Sequence, residues 1–171
     1  MALEDTLIRL QERLEKMMHY GKDAPDNLYI FTDAMRMGEG LKRFLQEIIR
    51  ENPKLSMIII DTFALIKPQE KGRGSKNIYD SDYQNIADLK AITDDNNIAI
   101  VLVHHRRKME SDDVMDTFSG TFGLTGAADN LMALHKKKSK NVLTVTGRDI
   151  ESHEYSIKFD QQRISKKSMM Q

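Results

Sequence analysis

Four short stretches of this chain carry side chains that can do chemistry. The run Met57-Ile58-Ile59-Ile60-Asp61 places an acid directly after four apolar residues, the Walker B pattern. A buried strand would fix the Asp61 carboxylate at a sheet edge, where it can hold Mg²⁺ through water beside nucleotide phosphates. The same Asp also fits a plain cap of the following turn, and Thr62 sits next to it on the cofactor side. Glu4 follows the short apolar pair Ala2-Leu3 and precedes a helix. A carboxylate there can orient an attacking water, or serve only as an acid favoured by the helix dipole. His104 and His105 follow the apolar run Ile98–Val103. Either can hydrogen-bond a γ-phosphate, but neighbours on an extended chain point to opposite sides, so the two are not expected to share a role or a metal. Arg148 lies in the turn between Thr146 and Glu154, where it can reach a neighbouring subunit as an arginine finger or pair locally with Asp149. Two basic clusters, Lys67, Lys71, Arg73 and Lys76, then Arg106, Arg107 and Lys108, lie on polar stretches. Lys and Arg on loops suit phosphate-backbone binding without sequence readout. Charge runs on loops are more often simply solvated, and Glu110, Asp112 and Asp113 dilute the second cluster.

The elements that must position these residues are legible from periodicity. Leu7, Leu10, Leu14, Met17 and Met18 recur at helical spacing and predict a helix from Asp5 to about Tyr20, capped by Asp5. Leu28–Phe31 reads as a short strand. Leu41, Phe44, Leu45, Ile48 and Ile49 predict a helix over about Glu39–Glu51, stopped by Pro53. Leu55–Ile60 and Ile98–Val103 read as strands buried on both faces, as in parallel sheets. A helix over about Asp80–Asp95 separates them. Leu131–His135, Val142–Thr146 and Glu154–Phe159 read as three further strands, the last two forming a hairpin around Gly147–His153. Strand, helix, strand, helix, strand is the pattern of a doubly wound α/β fold, whose ligands sit at the carboxyl ends of the strands. Those ends carry Glu4 and Asp5, Asp61 and Thr62, and His104 and His105.

Composition narrows the classes. The 171 residues suit one domain, with a basic polar tail over 161–171 expected to be disordered. There is no cysteine, which removes disulfide and thiolate-metal frameworks. No apolar run approaches the roughly 18 residues of a membrane span, and no basic-then-apolar signal opens the chain. A cytoplasmic, membrane-free protein is expected. Lys plus Arg and Asp plus Glu number 26 each, so contact with nucleic acid must come from a local patch.

Together these stretches resemble a known family. ALEDTLIRLQERLEKM, LSMIIIDTFALIKP, YDSDYQNIADLKAITDDNNIAIVLVHHRRK, FSGTFGLTGAADNLMAL and VLTVTGRDIESHEYSIKFD, in this order, are similar to RecA-like ATPases of the RepA-type hexameric replicative helicases of plasmids, phages and mobile elements. The resemblance covers about Leu3 to Asp160. It implies a RecA-like, mostly parallel sheet with a C-terminal antiparallel hairpin, ATP and Mg²⁺ as cofactors, single-stranded DNA as a weak, non-specific partner, and assembly into a ring. It implies that Glu4 polarises water, that Asp61 is the Walker B aspartate, and that His104 or His105 couples phosphate state to DNA-binding loops. Arg148 is similar in placement to a hairpin arginine that serves a neighbouring subunit. One part of the family pattern is missing. Family members carry a strand, GxxxxGK[ST] and a helix before their counterpart of Ala2–Asp5; no such motif occurs in these residues, and Lys71-Gly72-Arg73-Gly74-Ser75-Lys76 has the wrong spacing. The expectation is an ATPase core truncated at its N-terminus over 1–160, inactive in ATP hydrolysis alone. The alternative is a non-catalytic interaction or DNA-binding module that docks with a separate P-loop subunit.

Overall fold

The computed structural model describes residues 1–18, 24–69, 78–105, 126–137 and 139–158, with the side chains of 78–80 excepted. The loop residues Lys71, Arg73, Lys76, Arg106, Arg107 and Lys108 and the tail 161–171 lie outside the described residues.

Helix α1 spans Leu7–Met17. Its cap is Thr6 rather than the expected Asp5: the Thr6 hydroxyl accepts the Arg9 N–H at 3.4 Å. Asp5 is thereby free to pair with Arg9 at 3.3 Å and with Arg13. None of the α1 side chains is buried. Helix α2 spans Leu41–Glu51 and starts two residues later than its periodicity suggests. Gly38 and Gly40 take φ of 77° and 120°, a region costly for residues with a Cβ, so the chain is still turning there. The side chain of Asn52 closes α2 by donating to the Ile48 carbonyl at 2.8 Å.

Strand β1 (Met57–Asp61) runs parallel to β2, Ala99–Val103, with Met57 opposite Ala99 and Asp61 opposite Val103. Between them come a one-turn helix α3, Phe63–Ile66, which periodicity did not suggest, and the long helix α4, Ile78–Asn96. The chain start adds to the other edge of β1. Leu3 N–H donates to the Asp61 carbonyl at 2.7 Å and Asp61 N–H to the Met1 carbonyl at 3.0 Å. Ala2 N–H in turn reaches the Phe31 carbonyl at 2.8 Å. Leu28–Phe31, expected as a strand, contributes that one carbonyl without forming a ladder.

Strand alternation sends Ile58 and Ile60 to one face. There they join Leu41 and Leu45 of α2, Ile86, Leu89 and Ile92 of α4, and Phe63 and Ile66 of α3 in one core cluster. The opposite face is open: Met57, Ile59 and Val101 are 50%, 49% and 37% exposed. Burial on both faces, expected from the continuous apolar runs, is therefore met on one face only among the described residues. The sequence pattern could not distinguish the two cases, because Met57 and Ile59 are as apolar as the residues that are covered.

Strands β3 (Asn130–Lys137), β4 (Lys140–Gly147) and β5 (His153–Ile157) form a separate antiparallel sheet in the order β3-β4-β5. The expected hairpin around Gly147–His153 is its second half. Ala127, just before β3, is buried in the main core, and the Lys90–Asp129 ion pair at 2.6 Å ties the same segment to α4. The molecule is thus mixed α/β with a parallel and an antiparallel sheet. No helix among the described residues is long and apolar enough to cross a membrane.

Candidate nucleotide site at the strand ends

The parallel register brings the expected residues level. Ala2 bridges Asp61, and Asp61 pairs with Val103. Glu4, Asp61-Thr62 and His104-His105 therefore leave three adjacent parallel segments at the same edge. The peptide joining Asp61 and Thr62 is cis.

Contacts form around Glu4. The Thr62 hydroxyl donates to Glu4 Oε1 at 3.1 Å. His105 Nε2 lies 3.3 Å from Glu4 Oε2. Thr62 is fully buried, and a buried hydroxyl needs a partner; Glu4 supplies it. The Glu4 and His105 side chains remain 48% and 70% exposed, so the carboxylate is held on one side and open to water on the other. That geometry suits a group that orients a water or takes its proton. Asp61 is half-buried and makes no ion pair within 4.0 Å among the described residues, although its charge acts on the Met1 ammonium, which donates to the Ile59 carbonyl at 2.7 Å. No group of three His, Asp or Glu side chains converges as a metal-ligand set among the described residues.

The two histidines diverge, as alternation predicts. His105 faces Glu4. His104 packs edge-on against Phe63, with ring centroids 6.1 Å apart and planes at 77°. Burial is the main cause that lowers the proton affinity of His104. The Lys67 ammonium and His105 act in the same direction, while Asp82 opposes them. Behind His104, Lys67 pairs with Asp82 at 2.5 Å and lies 5.4 Å from the centre of the Phe63 ring. Sequence reasoning placed Lys67 in a basic loop cluster, for phosphate-backbone binding or plain solvation, and did not single out Asp82. A signal existed: Asp82 continues the apolar stripe of α4 through Ile86, Leu89 and Ile92, where an acid is out of place.

Arg148 sits in a second cluster. Its guanidinium donates to the Gly126 carbonyl at 3.0 Å and lies 3.8 Å from Asp129 Oδ1, while its backbone N–H donates to the Asp129 carbonyl at 3.0 Å. The local partner is thus Asp129 and not the neighbouring Asp149. Lys90 holds the other carboxylate oxygen of Asp129 at 2.6 Å, and this contact raises the proton affinity of Lys90.

Residues 1–111 match the AAA domain family. The chain belongs to the AAA domain family. This makes it a domain of the ATPase type. The AAA domain match contains Glu4, Asp61, Thr62, His104, His105 and the basic residues through Lys108, whereas Arg148 lies beyond it. Comparison with curated proteins finds no match.

Proposed function

We propose that this AAA domain supplies the water-activating side of an ATP-hydrolysing site, of the kind found in RecA-like, RepA-type replicative helicases. The observation that carries the reading is Glu4, gripped by Thr62 and His105 level with Asp61 and open to solvent. In this reading Glu4 orients the attacking water, and Thr62 fixes the Glu4 rotamer and borders the nucleotide. Asp61 steers Mg²⁺ through a bound water, and His105 follows the charge at Glu4. Mg²⁺, when bound, neutralises charge on the transferring phosphoryl group.

The cradle for the β- and γ-phosphates comes from outside these 171 residues, which contain no GxxxxGK[ST]. A strand-and-helix unit bearing that motif has a place to pack. Among the described residues β2 pairs only with β1, and the apolar face of Met57, Ile59 and Val101 is uncovered. Single-stranded DNA contacts Lys71, Arg73, Lys76, Arg106, Arg107 and Lys108, and Arg148 serves the neighbouring subunit of a ring. The same open face favours a second reading, in which the domain docks with a P-loop subunit and does no chemistry itself.

One experiment separates the two. A strand–GxxxxGK[ST]–helix unit fused ahead of Met1 is assayed for DNA-stimulated ATP hydrolysis. Glu4→Gln is expected to reduce turnover about 10²–10⁴-fold, the range for a general base, with the thermal melt unchanged; Asp61→Asn is expected to do likewise. Turnover that survives Glu4→Gln would refute the catalytic reading and leave the docking one.

A further inference from the structure

Residues 126–129 touch both α4 and the turn that joins β4 to β5. Arg148, in that turn, holds the segment at two points. Its guanidinium donates to the Gly126 carbonyl at 3.0 Å, and its backbone N–H donates to the Asp129 carbonyl at 3.0 Å. Helix α4 meets the same two residues. The Tyr83 ring faces Gly126, near enough that a Cβ built there would rest on it at 3.5 Å. Lys90 reaches the Asp129 carboxylate at 2.6 Å. Tyr83 and Lys90 share one face of α4, two turns apart. Between the two points, Ala127 is buried in the main core.

These contacts orient the segment more than they stabilise it. The Asp129 and Arg148 side chains are 47% and 54% exposed, and their charges stand 3.8 Å apart. Exposed ion pairs of this kind add little to stability. One residue that bonds two carbonyls of the same segment, however, leaves that segment one placement against α4. Chain order says what is placed. Gly126 directly follows 106–125, which carries Arg106, Arg107 and Lys108, and α4 directly follows 70–77, which carries Lys71, Arg73 and Lys76. The approach of Tyr83 to Gly126 thus joins the parts of the chain that come next after each of the two basic stretches.

We propose that Arg148 is a positioning residue for single-stranded DNA bound to its own subunit: it pins Gly126 and Asp129 against α4 and so sets the relative placement of the two basic stretches. Two clusters that bind one strand help each other as linked sites do, and the gain is lost when their placement loosens. Asp129 is the anchor of the arrangement, because its carboxylate faces both Arg148 and Lys90. In this role Arg148 touches no phosphate. It acts without nucleotide and within one chain, which separates the role from service to a neighbouring subunit. The proposal rests on the DNA reading of the basic stretches for its ligand.

The test is fluorescence anisotropy of labelled oligo(dT) with the full chain, without nucleotide, over a range of salt, each variant's fold being checked by circular dichroism. Arg148→Gln is expected to raise Kd about three- to tenfold, the worth of a hydrogen bond or two, at the salt slope of the wild type. A slope shallower by about 0.7 or more would show Arg148 on a phosphate and overturn the proposal. Asp129→Asn gives a reading of opposite sign for the two causes. On charge alone, removing an acid from the subunit tightens DNA binding, whereas losing the anchor weakens it. Weaker binding at an unchanged slope is expected; unchanged or tighter binding overturns the proposal. Tyr83→Ala alters no charge and is expected to weaken binding as Arg148→Gln does, and wild-type affinity there also overturns it. Should Arg148→Gln unfold, Asp129→Asn and Tyr83→Ala decide. Replacing Lys71, Arg73, Arg106 and Arg107 by Ala judges the DNA reading itself. If that variant binds like wild type, or the wild-type chain binds no oligo(dT), the reading and the proposal fall together. If it loses binding while Asp129→Asn does not, the proposal alone fails.

Discussion

Gly147→Ala is expected to destabilise the protein by about 1–3 kcal/mol, the ordinary cost of forcing a methyl group into filled space. The structure identifies the obstacles. A Cβ at Gly147 would overlap the Asn130 side-chain oxygen, stand 2.8 Å from the Asp129 carbonyl and touch Ile150 Cγ1 at 3.0 Å. The Asn130 amide can swing away. The Asp129 carbonyl cannot retreat cheaply, because it accepts the Arg148 N–H at 3.0 Å and a net hydrogen bond is worth about 0.5–1.5 kcal/mol. For a chain of this size each kcal/mol lowers the melting midpoint by about 2–4 °C, giving a fall of about 2–12 °C by circular dichroism. Two companions locate the cause. Gly147→Ala with Asn130→Ala should recover only part of the loss, since the carbonyl remains. Gly38→Ala meets nothing within 4 Å and pays only for its φ of 77°, about 1–2 kcal/mol, so Asn130→Ala should not rescue it. A Gly147→Ala protein that melts with the wild type, or one fully rescued by Asn130→Ala, would refute the argument that the Asp129 carbonyl is the wall.

Phe63 is fully buried among α2, α3 and α4, so Phe63→Ala should cost about 3–5 kcal/mol in urea unfolding; a loss under 1 kcal/mol would mean the ring is not part of the core. His104 has a folded proton affinity below its unfolded one, so the unfolded state binds more protons and stability rises with pH. Melting midpoints should therefore fall as pH drops below about 6.5, the unfolded histidine value, and His104→Gln should flatten that slope relative to wild type; an unchanged slope would place the effect elsewhere. Single-stranded DNA binding, followed by fluorescence anisotropy, should weaken steeply with salt by about 0.7 log units per neutralised phosphate and per log unit of salt. Replacing Lys71, Arg73, Arg106 and Arg107 by Ala should remove most of it, and unchanged affinity would exclude these loops as the contact surface.

Much of this was legible in the sequence because it rests on local chemistry. The apolar runs ending at Asp61 and Val103 gave the strands within two residues, and alternation alone split His104 from His105. What failed was competition between neighbours of similar type. Asp5 and Thr6 can both cap a helix, and the hydroxyl won, leaving Asp5 to Arg9 and Arg13. Arg148 had an acid beside it at Asp149, yet the hairpin turns its guanidinium back to Asp129, nineteen positions upstream, a distance that periodicity does not measure. Asp82 was the costliest miss. Its place on the apolar stripe with Ile86, Leu89 and Ile92 was readable, but that it pairs with Lys67, fifteen positions upstream, is shown only by the packing of α4.

The two imidazoles at the end of β2 have different surroundings: His105 meets the Glu4 carboxylate, and His104 meets the Phe63 ring. Glu4 is 48% exposed and keeps one side open after Thr62 and His105 have bonded to it. Water can reach it, as the proposed role of orienting a nucleophile requires. Asp82 is 14% exposed and is paired with Lys67. The adjacent histidines can differ in this way because the strand turns them to opposite sides. His105 lies 3.3 Å from the Glu4 carboxylate and is one of the two groups that hold it, Thr62 being the other. On this arrangement His105→Asn should lower ATP turnover in the fused protein, and by less than Glu4→Gln, because the Thr62 hydroxyl still bonds the carboxylate. If His105→Asn leaves turnover unchanged, His105 does not position Glu4.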